Sequence, residues 1–272
     1  MASSAEQQAK QAADSFRQDH RLGVQPLGDL VTLIEQTTGH DVAILDADPN
    51  EHGLTMRDPA RDKVFIGIAR SRNPMRQRST LAHELAHLIF QDCSEDLGER
   101  SPEEIRADAF ARHLLVPLEG VKEFLGTTEN VSEAALSDVV QRFLVSPAIA
   151  AIALRDAGYV SPCIASEWMR IHTPQLATRF GWSDHYATLQ DDSNRLRAPQ
   201  GLVSRAIAGY AEGVVSAQAI ATLRGVAAER VVTELEEIGI SPKIFDETDF
   251  ELDELPDIEV DLCGLQDEDS SS

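Results

Sequence analysis

The residues best able to do chemistry stand in one short run, Thr80-Leu-Ala-His83-Glu84-Leu-Ala-His87-Leu-Ile-Phe90. In a helix, positions i and i+4 project from the same face, so His83 and His87 can offer two imidazole nitrogens to one ion. Glu84 lies beside them and is not needed as a ligand. It can take a proton from water activated by the metal, the division of labour that an H-E-x-x-H pattern signifies. The plainer reading is a helix with polar residues on one side. Against it, Leu81, Leu85, Leu88 and Ile89 make this helix apolar, and burying two His and a Glu without partners is costly. A metal ion supplies the partner.

Catalytic zinc usually keeps three protein ligands and leaves the fourth position for water. The metzincin extension of the motif would need Gly at position 90 and His at 93, where this chain has Phe90 and Cys93. That class is excluded, although Cys93 stays a ligand candidate. Downstream, Ser101-Pro-Glu-Glu104-Ile-Arg-Ala-Asp108-Ala-Phe-Ala-Arg-His113-Leu-Leu-Val-Pro117 reads as a helix. Ser101 can cap it, Pro102 suits its first turn, Glu103 and Glu104 favour the positive end, and Pro117 stops it. Glu104 is the natural third ligand. Asp108, one turn on along the same face, can hydrogen-bond a ligand histidine from behind. Glu103 and Glu104 read equally well as simple helix-start acids. His113 is about half a turn out of phase with Glu104 and should point away from the metal.

These helices need a frame. Residues 4–21 read as a polar helix whose apolar stripe is Ala9, Ala12, Ala13 and Phe16, and residues 26–38 as an amphipathic helix stopped by Gly39. Val42–Leu45, His52–Met56 and Val64–Ile68 read as strands, the last two joined through Asp58-Pro-Ala-Arg-Asp. A small sheet followed by two ligand helices gives an α+β fold. Val64–Ile68 is the strand expected at an open edge, where an extended substrate could add.

The pieces Leu-Ala-His-Glu-Leu-Ala-His at 81–87 and E-x-x-A-D-x-F-A-x-x-L-L-x-P at 104–117 together resemble the ImmA/IrrE family of zinc metallopeptidases. Gly53-Leu-Thr-Met-Arg-Asp and Lys63-Val-Phe-Ile-Gly-Ile fit that family too. The resemblance covers roughly residues 25–120, with looser similarity to about 160. It implies a gluzincin-like, zincin-type fold, Zn2+ held by His83, His87 and Glu104, and Glu84 as general base. It also implies regulation of transcription by cleavage of a helix-turn-helix repressor, although the family includes members whose proteolysis is uncertain.

Composition bounds the remainder. The chain has 272 residues, is 42% hydrophobic and carries a net charge of −22. It has no apolar run long enough to span a bilayer and no basic-then-apolar leader at its start. Cys93, Cys163 and Cys263 are odd in number and far apart, which favours a reducing, cytoplasmic setting over a disulfide framework. Residues 246–272 hold 12 acids and no Lys or Arg, leaving −10 for the rest, and 244–272 reads as an acidic, disordered tail.

Four segments are expected: a zincin-like metallopeptidase domain over 1–125, a helix-turn-helix-like extension over 126–160, a mostly helical region over 161–243, and the tail. The 131–160 stretch has the pattern of a DNA reader but a net charge of −1, and reading DNA needs a basic surface. Packing on the peptidase domain is the better reading, with no direct nucleic-acid or membrane binding. Trp168, His172, Trp182, His185 and Tyr186 fall in a stretch with little period, and the aromatics read as core. The expected activity is a zinc endopeptidase acting on a regulatory protein. The alternative is a non-proteolytic protein that sequesters a repressor or another basic partner, with the metal site structural or vestigial.

Overall fold

The structure is a computed structural model and describes residues 4–47, 53–58, 63–92, 101–128 and 131–243. Cys93, Cys263 and the acidic segment 244–272 lie outside them. Strands β1 (Asp41–Leu45), β2 (Leu54–Asp58) and β3 (Lys63–Ala69) form one sheet in the order β1-β3-β2. β1 runs parallel to β3 and β2 antiparallel to it. Alternation places Val42, Ile44, Val64, Ile66 and Ile68 on one face, all buried. The strand expected at the edge, Val64–Ile68, is therefore the central one, hydrogen-bonded on both sides. Asp58 pairs with Lys63, so β2 lies against one side of β3, and the parallel β1 takes the other. The outer edge of β1 is closed in turn: Ile44 N–H donates to Arg197 O at 2.8 Å, and Arg197 N–H donates back at 3.1 Å. Among the described residues β2 is left as the open edge.

Helix α1 (Ser4–Asp19) buries Ala9, Ala13, Phe16 and Arg17, a stripe at helical spacing. Its small alanines allow close packing on α4 (Pro102–Leu115), its main neighbour. Buried Arg17 finds all its partners in carbonyls. Its Nε and Nη2 donate to Leu114 O at 2.8 and 2.6 Å, and its Nη1 donates to Gly23 O and Gln25 O. Burial pulls its pKa down to about 10, so it remains charged at neutral pH and caps the negative end of α4. Helix α2 (Leu30–Thr38) starts later than the apolar pattern suggests, because the Asp29 carboxylate accepts from Val31 and Thr32 N–H and fixes the cap there.

Helix α3 (Pro74–Phe90) begins with Asn73 as cap and Pro74 in its first turn. Its start is tethered from two directions. Arg78 donates to Leu27 O and Gly28 O, both at 2.7 Å. Gln77 donates to Ala69 O and Ser193 O. Ser193 ends α10 (Ser183–Ser193), so the region beyond 161 buttresses the helix that carries the H-E-x-x-H residues.

After α5 (Leu118–Leu125), helices α6 (Glu133–Phe143) and α7 (Pro147–Asp156) meet at 110°, turning through Leu144 at φ 53°. Leu136, Val139, Val140, Phe143, Ala150, Ala151 and Leu154 are buried, so both apolar faces go to the core. Three short helices follow, α8 (Pro162–Trp168), α9 (Thr173–Arg179) and α10. Trp168, Trp182 and Tyr186 are core residues, and the Trp182 indole donates to Ser137 Oγ at 2.9 Å. His172 and His185 are exposed.

One core thus gathers residues from Ala9 to Tyr186. A second, small core of Ala206, Tyr210, Ile220, Ala221, Val231 and Leu235 lies within α11 (Gln200–Ala211), α12 (Ala217–Arg224) and α13 (Ala228–Glu237). Among the described residues no single helix is long and apolar enough to cross a membrane. The fold is α+β, a small sheet within a mostly helical molecule.

Candidate metal centre

His83 and His87 project from one face of α3, and Glu104 meets them from the first turn of α4. The two Nε2 atoms are 3.1 Å apart. The Glu104 carboxylate reaches both, with Oε2 3.1 Å from His83 Nε2 and Oε1 3.3 Å from His87 Nε2. Four bonds of 2.0–2.1 Å in tetrahedral array put neighbouring ligand atoms roughly 3.3 Å apart, so the two nitrogens stand about one such edge apart, and each lies at a similar distance from one oxygen of the Glu104 carboxylate. Among the described residues these three form the group able to hold a metal ion.

The outer hydrogen bonds fix which nitrogen is offered. His83 Nδ1 lies 3.0 Å from Asp108 Oδ1. His87 Nδ1 lies 3.0 Å from the Asp92 carbonyl and 3.1 Å from its carboxylate. With the proton on each Nδ1, both Nε2 lone pairs point at the same spot, an arrangement that repels itself unless a cation sits there. Burial disfavours a charged His83, but the hydrogen bond and charge of Asp108, then the charges of Glu104 and Glu84, outweigh it and raise its pKa. The surroundings therefore favour positive charge where the lone pairs converge. Glu84 is buried, and its Oε2 accepts the Thr55 hydroxyl at 2.7 Å. His113 faces away, with its Nε2 2.8 Å from Glu6 Oε1 on α1.

Residues 36–155 match the Peptidase_M78 family model, the IrrE N-terminal-like domain. This part of the chain belongs to the ImmA/IrrE family. The match runs from α2 through α7 and includes both helices of the metal group. No curated protein matches the chain. The ImmA/IrrE domain is metallopeptidase-like, and His83, His87 and Glu104 give it a group fit for a metal ion.

Asp92 and Arg106 complete the surroundings of His87, although the sequence points to neighbouring Cys93 as the candidate beyond the helix end. Asp92 reaches back to His87 because Gln91 ends α3 in the left-handed region at φ 55°, folding the chain over the last turn. Arg106 on α4 donates to the second carboxylate oxygen of Asp92 and stacks 4.2 Å above the Phe90 ring. This ion pair ties the end of α3 to α4 behind His87. No local pattern marks it; the one available signal was an acid just past the helix end.

Proposed function

We propose that the chain is a zinc-dependent endopeptidase whose substrate is a regulatory protein, with a helix-turn-helix transcriptional repressor as the first candidate. The observation that carries this reading is the buried Glu84 set beside a three-ligand group, since a purely structural site has no use for a proton acceptor there. His83, His87 and Glu104 would hold the ion with one position left open. When bound, zinc supplies a Lewis acid that polarises the scissile carbonyl and makes water acidic near neutral pH. Glu84 takes the proton of the attacking water and delivers it to the leaving amine. Asp108 and Asp92 hold the two imidazoles in the tautomer that presents Nε2. An extended substrate segment adds as a fourth strand along β2, whose exposed Leu54 and Met56 offer apolar contacts to alternate side chains. The family resemblance, not the site, suggests the repressor, and the cysteine usage suggests a cytoplasmic setting.

The test is incubation of zinc-loaded protein with a helix-turn-helix repressor, chosen from the neighbouring genes if the genome shows one there, wild type next to Glu84→Gln. Cleavage by wild type alone, at equal zinc content, is expected. Binding without cleavage by both proteins would move the chain to the sequestering class.

A further inference from the structure

The carboxylate assigned as general base is itself held from the sheet. Thr55 reaches Glu84 Oε2 from β2 at 2.7 Å, across 29 residues of sequence. Two residues earlier, a Cβ built on Gly53 would collide with Glu84 Cγ and lie 2.5 Å from Oε1. Any other residue at 53 must push the carboxylate aside. Neither residue belongs to the ligand group, and both contacts fall on the one side chain that the reaction needs aimed. A free glutamate side chain samples several rotamers. A hydroxyl on one oxygen and a fitted gap beside the other select among them.

We infer that Thr55 is a positioning residue for Glu84, with Gly53 providing the space, so that Oε2 is tied and Oε1 is left to exchange the proton. This rests on the reading of Glu84 as general base. It also links two functions on one strand: β2 is the open edge offered to an extended peptide, and its inward side aims the base. Orientation of this kind is worth much in rate, because a small misplacement of a reacting group is costly.

The experiment loads wild type, Thr55→Val, Thr55→Ser, Gly53→Ala and Glu84→Gln with cobalt(II) and titrates each with acetohydroxamate, followed by the visible spectrum of the metal. Acetohydroxamate chelates through two oxygens, and its hydroxyl proton goes to a neighbouring carboxylate, so its affinity reports where Glu84 points. All five proteins should take up about one cobalt per chain. Thr55→Val, nearly the same shape without the donor, should weaken acetohydroxamate about tenfold, the scale of one hydrogen bond to a charged group. Gly53→Ala should weaken it as well, and Thr55→Ser should restore it. Adding Thr55→Val to Glu84→Gln should bring no further loss, because Thr55 acts through Glu84. Wild-type affinity in Thr55→Val, or a loss that adds to that of Glu84→Gln, overturns the inference. Wild type that takes up no cobalt removes the metal reading and this inference with it. Wild type that binds cobalt and acetohydroxamate but cleaves no protein removes the peptidase reading alone.

Discussion

The body built around the sheet and the helical unit α11–α13 are stabilised in different ways. The body has a core running from Ala9 to Tyr186, and beside it lies a network of His83, His87, Glu104, Asp108, Asp92 and Arg106. The unit has six buried residues and, instead of convergent metal-ligand side chains, one carboxylate shared by two arginines, Glu234 with Arg224 and Arg230. A core that small is marginal alone, so the unit leans on the body: Arg197, in the segment just before α11, closes β1, and Arg205 of α11 lies 3.9 Å from Asp41. Convergent polar side chains can be afforded where a large core surrounds them. A metal ion should therefore stabilise one region and leave the other almost untouched.

The largest expected effect tests that directly. Ligand bound at a thousand times its dissociation constant stabilises the folded state by about 4 kcal/mol. Chelating the metal, or His87→Ala, should lower the melting temperature of the body and expose α3 and α4 amides to hydrogen exchange. Amides around Val231 and Leu235 should change little. Equal loss of protection in both regions would break the comparison and make the molecule one cooperative unit.

Next come the cores. Phe110 and Ile220 are both fully buried. Phe110→Ala should cost about 3–5 kcal/mol and reduce metal uptake, because Phe110 sits on the ligand helix α4. Ile220→Ala should cost about 2–5 kcal/mol, enough to unfold α11–α13 locally while metal content stays at the wild-type level. Metal loss in Ile220→Ala protein would show that the unit supports the site through the β1 contact. A third, smaller change probes that contact. Arg197→Ala removes the side-chain bonds to Asp29 and Thr32 from a partly exposed site, so about 1 kcal/mol is expected. Its signature is faster exchange in α11 with metal content unchanged.

The same contrast explains what the sequence made legible. The H-E-x-x-H pair is a local feature, since a helical repeat sets which residues share a face before any tertiary contact forms. Glu104 was ambiguous because a ligand and a helix-start acid look alike until α3 and α4 are placed together. Asp92 was hidden because its role depends on a left-handed turn at Gln91, a residue type that does not announce one. The strands were found but not their order: β3 was expected at the edge and is central, because pairing is non-local and no local pattern marks which of three strands lies between the others. Between 161 and 193 the helices are only 7 to 11 residues long, too short for a period to stand out, although the burial of their aromatics was foreseeable. The clamp of Thr55 and Gly53 on Glu84 was invisible for the same reason as the sheet order.

The smallest effect concerns pH and lies on the far side of α4 from the metal. Burial pushes the Glu6 carboxyl up, but the His113 hydrogen bond and the Arg112 charge outweigh it, and its pKa is lowered in the folded protein. A lowered folded-state pKa means that the carboxylate adds stability above its unfolded-state value of about 4.3, and that this share is lost as pH falls through the folded value. Glu6 is about a third exposed, so solvent screening holds the share to about 1 kcal/mol or less. Glu6→Gln should therefore melt a few degrees below wild type at pH 7, and the two curves should converge on acidification through the carboxylate range. Both proteins must be metal-free, because acid also releases a bound metal. Protection in α12 and α13 should not distinguish the two, since Glu6, Arg112 and His113 join α1 to α4 within the body alone. A gap that persisted in acid would mean that Glu6 acts by packing rather than charge, and a gap that spread to α13 would join the two regions after all.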